Sequence, residues 1–280
     1  MGMEIKTKTK TLQLNERTHI MGILNVTPDS FSDGGKYTTI EKAVEHALKM
    51  EREGADIIDV GGESTRPGHE PVSVEEEIER VVPVIEALKQ HVSVPISIDT
   101  YKAKTAEAAI KAGADIINDI WGAKYDPEMA NVAAAYDVPI ILMHNRDNKT
   151  YSHLIEEMIS DLEESVAIAK ERGVKDEQII IDPGIGIVFG KTLEDNYVVL
   201  RHLEKIVQHF PYPLLLAASR KSFISKVLDI PPQARDNATG AVTCLGIQKG
   251  ARIVRVHDVK RNVELAKMMD AMLKGIGVDG

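Results

Sequence analysis

A single cysteine, Cys244, occurs in 280 residues. This excludes an internal disulfide framework and any cysteine-rich zinc site, and it suits a reducing compartment. No run of about 18 apolar residues occurs that would cross a membrane as a helix. The first 20 residues, MGMEIKTKTKTLQLNERTHI, lack the apolar stretch of a secretory leader. Positive charge is also short: 34 Lys and Arg stand against 43 Asp and Glu, a net charge of −9. That balance argues against nucleic acid or an anionic membrane as the main partner, so an anionic ligand must meet a local cluster of cations. Neither G-x-x-x-x-G-K-[ST] nor H-E-x-x-H is present, and GIGIVFG at 184–190 has the wrong glycine spacing for a dinucleotide-binding turn. Linkers and low-complexity tracts are absent too. A soluble, cytoplasmic chain with one large core is expected.

Eight short apolar, β-branched runs recur: HIMGILNV, ADIIDVGG, PISIDT, ADIINDI, PIILMHN, QIIIDPG, PLLLAASR and RIVRVHD. Between them lie stretches with helical periodicity, such as IEKAVEHALKMEREG, VEEEIERVVPVIEALKQ and IEEMISDLEESVAIAKERG, many ending in the glycine that stops a helix. Near-continuous apolar strands alternating with amphipathic helices imply a parallel sheet buried on both faces. Eight such units in this length fit a closed (β/α)8 barrel, the TIM barrel. The expected organisation is an N-terminal extension, residues 1–18, packing on the barrel, followed by one catalytic domain over 19–280. GADIIDVGG and GADIINDIWG resemble an internal repeat, as two successive barrel strands entered from helices would.

Such barrels do their chemistry where the strands end and the βα loops gather. The residues that close the eight runs are Asn25, Asp59, Asp99, Asn118 with Asp119, His144 with Asn145, Asp182, the trio Ser219–Arg220–Lys221, and Arg255 with His257. A lone Asp at such a position is as well explained by a helix cap; eight polar strand ends on one rim point to a ligand. Asp99, Asn118 and Asp182 suit the ring N–H, amine and carbonyl groups of a heterocycle such as a pterin or purine. Asn25, Arg66, Arg255 and His257 come from the first, second and eighth strands, adjacent in a closed barrel, and suit phosphate oxygens. Lys221 falls between the two groups. TPDSFSDGGKY and ESTRPGHEPV, after the first and second strands, exceed what a connection needs and read as lids.

The ordered motifs GILNVTPDSFSDGG, GGESTRPG, SIDT, INDIWG, LMHN, DPGIG, SRKSF and RVHDV, spread over nearly the whole chain, resemble those of bacterial dihydropteroate synthases. The resemblance implies a TIM-barrel transferase of folate biosynthesis, usually a homodimer and a target of sulfonamides. Its members join p-aminobenzoate to 6-hydroxymethyl-7,8-dihydropterin pyrophosphate and release pyrophosphate. By the same resemblance, Asp99, Asn118 and Asp182 bind the pterin, with Met143 beside the ring, and Lys221 touches pterin and p-aminobenzoate. Asn25, Arg66, Arg255 and His257 are similar to pyrophosphate contacts, with Asn25 also near Mg²⁺. Thr65, Pro67, Phe189 and Ser222 look like the p-aminobenzoate surroundings, and Phe31 and Asp33 match lid residues of the first loop.

The chain departs from the family's D-P-G-[FI]-G-F pattern, because DPGIGIVFGK carries Ile187 and Val188 before Phe189. Such an insertion is expected to shift the ring that flanks p-aminobenzoate and to alter sulfonamide discrimination. Ala217 and Ala218, and RDNATGA, depart more mildly. Two other readings stand beside the synthase: a methyltetrahydrofolate-type methyltransferase, which needs no pyrophosphate clamp, and a non-catalytic pterin-binding barrel.

Overall fold

A computed structural model of the chain describes residues 3–27, 36–63, 71–187 and 190–275. Its centre is a barrel of eight parallel strands: β1 (His19–Asn25), β2 (Ile57–Gly61), β3 (Ile96–Asp99), β4 (Ile116–Asp119), β5 (Ile140–Met143), β6 (Ile179–Asp182), β7 (Leu215–Leu216) and β8 (Ile253–Val256). The strands hydrogen-bond in the order β6-β5-β4-β3-β2-β1-β8-β7. Closure comes from a parallel bridge between Ile181 and Leu214, with the Ile181 N–H donating to the Pro213 carbonyl at 3.0 Å. All eight apolar runs contain a strand. The seventh, PLLLAASR, keeps only two strand residues and leaves by an irregular path that bears on the site below.

Continuous apolar strands serve two cores because successive side chains face opposite sides. Ile58, Val60, Ile98, Ile117, Leu142 and Ile181 point outward and pack on the helices. Met21, Ile57, Ile116, Ile141, Ile180, Leu215 and Ile253 point inward. That inner layer is closed from below by Ile5 and Leu12 of an antiparallel hairpin, Glu4–Lys6 with Thr11–Gln13, and by Leu14 just after it. One floor of branched apolar side chains therefore separates the hairpin from the polar rim.

The repeated Gly-Ala-Asp motif has a structural role in both copies. The Asp115 carboxylate, at the entry to β4, accepts from the Thr9 N–H at 3.0 Å, the Thr9 hydroxyl at 2.9 Å and the Ile96 N–H at 3.1 Å. Asp56, at the entry to β2, accepts from the Ile20 N–H and from Arg17 Nη1, both at 2.9 Å. Each aspartate ties the N-terminal arm to a neighbouring strand while pairing buried backbone donors that would otherwise be costly. The surrounding helices follow their sequence signals closely. Val74–Lys89 is capped by Ser73, whose hydroxyl accepts from the Glu76 N–H at 3.1 Å, and it carries three glutamates at the positive end of its dipole and a lysine at the negative end. Leu154–Glu171 covers the third periodic stretch.

Candidate active site

Strand alternation places the polar residues one layer above the apolar floor. Asp59 lies two residues after Ile57, Asn118 two after Ile116, Met143 two after Ile141, Asp182 two after Ile180, and Arg255 two after Ile253, so all share the inward face. The register then sets neighbours: Asp59 beside Ser97, Asp99 beside Asn118, and Met143 beside Asp182. Asp59, Asn118, Met143 and Asp182 are buried.

Arg255 joins the two sides of this layer. Its Nε donates to Asp59 Oδ2 at 2.5 Å and its Nη2 to Asp99 Oδ2 at 2.7 Å, while Asn118 Nδ2 donates to the same Asp59 oxygen at 3.1 Å. Two carboxylates thus share one guanidinium. Burial, with the nearby Asp59 charge, pushes the Asp99 carboxyl up to about 7 against the pull of Arg255. For Arg255 the two carboxylates outweigh burial, and its pKa is raised. Asp59 Oδ1 and Ser97 Oγ are buried without a hydrogen-bond partner among the described residues. They are places where a ligand or water completes the site, since buried polar atoms are otherwise nearly always paired.

On the far side of the layer, Asp182 Oδ1 accepts from the Gly184 N–H at 2.7 Å, and burial raises the carboxyl's pKa against the pull of Lys221. Lys221 reaches the same region and donates to the Ile185 carbonyl. Burial lowers it to about 8, opposed by Asp182, so this lysine is poised near neutrality. Ser222 follows it at the start of the turn Ser222–Ile224. His257 is held by Ser219, whose Oγ lies 2.8 Å from His257 Nδ1 and accepts from the His257 N–H at 3.1 Å. The two contacts fix the Nδ1 edge of the imidazole against the serine and leave Nε2 on the opposite edge of the ring. Asn25 closes β1 beside Gly61: a Cβ on that glycine would lie 3.6 Å from Asn25 Oδ1 and 3.7 Å from Asp99 Oδ2.

The structure therefore brings Asn25, Asp99, Asn118, Met143, Asp182, Lys221, Ser222, Arg255 and His257 to one rim. Thr65, Arg66, Pro67, Phe189, Phe31 and Asp33 lie outside the described residues, as does most of each proposed lid. The structure adds to the site Asp59, which in the sequence is only a strand end. Its inward parity with Asp99 on the next strand was the available signal. A second buried network joins His144, one of the eight strand ends, to Lys191 and Asp161, which the sequence does not single out. Lys191, fully buried, places Nζ 2.7 Å from His144 Nδ1, and His144 Nε2 lies 2.9 Å from Asp161 Oδ2. Burial, aided by Lys191, pulls His144 down to about 4, and burial takes Lys191 to about 7.

A family model described as pterin binding enzyme matches residues 21–257. Dihydropteroate synthase of Bacillus subtilis (strain 168) is 60% identical over 274 residues, which is 98% of this chain and 95% of the relative. A structure of the dihydropteroate synthase of Clostridium difficile, determined in the presence of pteroic acid, superposes with a TM-score of 0.89 at 50% identity, covering 92% of this chain and 97% of that one. The Xanthomonas albilineans enzyme with 4-aminobenzoic acid gives a TM-score of 0.91 at 39% identity, covering 97% and 98%.

Proposed function

The chain belongs to the dihydropteroate synthases of the pterin-binding enzyme family, and from that premise we propose how its own residues carry out the transfer. As a member it is a transferase that makes 7,8-dihydropteroate from p-aminobenzoate and 6-hydroxymethyl-7,8-dihydropterin pyrophosphate. The methyltransferase and non-catalytic readings fall away with that membership.

The observation that carries the mechanism is the interleaving of carboxylates and cations in one layer, Arg255 between Asp59 and Asp99 and Lys221 beside Asp182. Asp182 and Asn118 offer an acceptor and an amide to the ring edge of the pterin, with the Met143 side chain packed beneath. When the bond between the methylene carbon and the pyrophosphate oxygen breaks, in an SN1-like displacement, positive charge spreads into the ring and negative charge grows on the leaving group. Asp99 and Asp182 stabilise the first, and Arg255 and His257 the second, where the family resemblance also assigns Arg66. The electrically neutral aryl amine then attacks the methylene carbon and releases a proton, so no strong base is required. His257, its Nδ1 edge held by Ser219, turns Nε2 to serve as the oxyanion donor. Lys221, next to Asp182 and at the start of the Ser222 turn, lies between pterin and p-aminobenzoate.

Among the described residues there is no cluster of three or more His, Cys, Asp or Glu side chains that could hold a metal ion. Asn25 offers one amide oxygen beside the clamp. That donor set fits Mg²⁺ arriving with the pyrophosphate, because Mg²⁺ keeps most of its oxygen ligands from water and phosphate. When bound, it supplies charge neutralisation for the leaving group. A homodimer is part of the reading, supported by the exposed Met268, Met272 and Leu273 of the helix Val259–Lys274. Cytoplasmic location is supported by the lone cysteine and by the absence, among described residues, of any helix long and apolar enough to cross a membrane.

Sulfonamides enter as p-aminobenzoate mimics. In the departure from the family pattern, the Ile187 carbonyl accepts from Lys149 Nζ at 2.7 Å, so the neighbouring β5 loop is fastened to the inserted stretch, and inhibitor discrimination is altered. Deleting Ile187 and Val188 tests this: an unchanged ratio of sulfonamide Ki to p-aminobenzoate KM refutes it. The primary experiment is pyrophosphate release from the dihydropterin pyrophosphate. Sustained release accompanied by dihydropteroate is expected to need both p-aminobenzoate and Mg²⁺; sustained release with p-aminobenzoate present and no dihydropteroate formed would overturn the transfer.

A further inference from the structure

Leaving β7, the chain turns at Ser219 and Arg220, between the serine that holds His257 and Lys221, and the residue with the unusual backbone is Arg220. Its φ is +56°, in the left-handed region, which a non-glycine residue adopts only against a steric cost. Two of the other described non-glycine residues with positive φ, Asp137 and Asp229, close helices, where this conformation is an ordinary way to stop. Arg220 closes no helix. It stands in the middle of the site, between Ser219 and Lys221.

Three contacts hold it there, all from the start of the helix Asp236–Gln248. The Arg220 N–H donates to Thr239 Oγ1 at 3.0 Å. Its carbonyl accepts from Arg235 Nη1 at 2.9 Å. Its guanidinium takes the Asp236 carboxylate in two-point fashion, Nε to Oδ1 at 2.7 Å and Nη2 to Oδ2 at 2.8 Å. A planar fork on a carboxylate fixes direction as well as distance. The basic triplet Ser-Arg-Lys looks like part of an anion site in the sequence, yet its arginine is turned to a carboxylate of its own chain. On either side of this pinned residue, Ser219 lies 2.8 Å from His257 Nδ1 and Lys221 donates to the Ile185 carbonyl.

We infer that Arg220 is a positioning residue, whose left-handed backbone, locked by Asp236, Thr239 and Arg235, aims Lys221 and Ser219 into the site. The inference rests on the roles given above to Lys221 and His257. What matters at position 220 is then the backbone conformation, with the side chain serving as its lock. A strained residue of this kind persists only where its surroundings over-determine it. Glycine and asparagine tolerate the left-handed region. Lysine keeps the charge but loses the fork, and valine resists the conformation through its branched Cβ.

The test compares R220G, R220N, R220K and R220V, with D236N made in the wild type and in R220G, and K221M as control. Folding is followed by circular dichroism and melting temperature. R220G and R220N are expected to keep kcat within about fivefold of wild type, and R220V to lose roughly tenfold or more, the cost of forcing the left-handed region. R220K should not exceed R220G. D236N should lower kcat in the wild type and change it less than about twofold in R220G, where the lock no longer exists; this coupling separates positioning from a general loss of stability. Activity that follows charge, with R220K near wild type and R220G as impaired as R220V, overturns the inference and makes the guanidinium a ligand group. Equal kcat across the series overturns it as well. If R220V does not fold, the order of R220G and R220K still decides. Full turnover by K221M sinks the site reading together with this inference, whereas inactive K221M with a charge-ordered series sinks the inference alone.

Discussion

Asp59 shares Arg255 with Asp99 and adds to the burial that disfavours the Asp99 charge, a dependence that can be measured without disturbing the barrel. In D59N the amide oxygen still accepts from Asn118 and Arg255, the side chain keeps its shape, and one negative charge leaves a buried site. Carboxylates on neighbouring nitrogens of one guanidinium sit roughly 5 Å apart, where two unit charges repel by about 3 kcal/mol at an effective dielectric of 20. Arg255 screens part of this, which leaves about 1 to 2 pKa units, at roughly 1.4 kcal/mol each. Asp99 titrates at about 7 because burial and Asp59 disfavour its charge. Removing Asp59 therefore lowers it. The pterin reading requires Asp99 ionised, so activity rises with pH as this group loses its proton, and the rise must move to lower pH in D59N. The assay is kcat/KM for the dihydropterin pyrophosphate between pH 5 and 9, which reports the free enzyme. An acid limb shifted down by 1 unit or more supports the argument; a limb that stays within 0.3 units, or moves up, refutes it.

Three further outcomes follow from the same geometry. D182N should fold normally and lose about 1.5–3 kcal/mol of transition-state binding, the worth of a charged hydrogen bond, or roughly 10- to 150-fold in kcat/KM; unimpaired turnover in the folded variant would remove Asp182 from the pterin site. Leu14→Ala should lower stability by about 2–5 kcal/mol, because Leu14 is fully buried in the barrel floor; a urea midpoint equal to wild type would show that the hairpin is not part of the folded core. Lys191, lowered to about 7 in the fold against an ordinary value near 10.4, keeps its proton longer in the unfolded chain. Wild-type stability therefore gains from this lysine as pH rises from about 7 towards 10. Lys191→Met lacks that gain, and denaturation at pH 7 and 9.5 should show the difference between the two proteins moving in favour of wild type; a constant difference would contradict the burial argument.

The fold was legible because its signals are local. Eight apolar runs became eight strands, and the periodic stretches ending near Arg52, Lys89 and Glu171 became helices with those ends, since side-chain alternation and caps depend on residues a few positions apart. The rim was legible for the same reason: a polar residue ending an apolar strand, two positions above an inward Ile or Met, must rise into the barrel mouth. Tertiary structure alone decided which rim residues join. Arg255 meets Asp59 and Asp99 across 196 and 156 residues of chain, and only closure of the barrel sets the first strands beside the last. The sequence shows Arg255 as a cation fit for phosphate; the fold makes it also the shared partner of two carboxylates, where it opposes the burial that disfavours the charge of Asp99. Arg220 shows the same limit, because its partners Thr239, Arg235 and Asp236 lie on a later helix and its left-handed backbone carries no glycine to announce it. Spacing along the chain fixes which atoms reach the rim, while their protonation and direction depend on neighbours brought together by closure, where low dielectric makes each charge depend on every other.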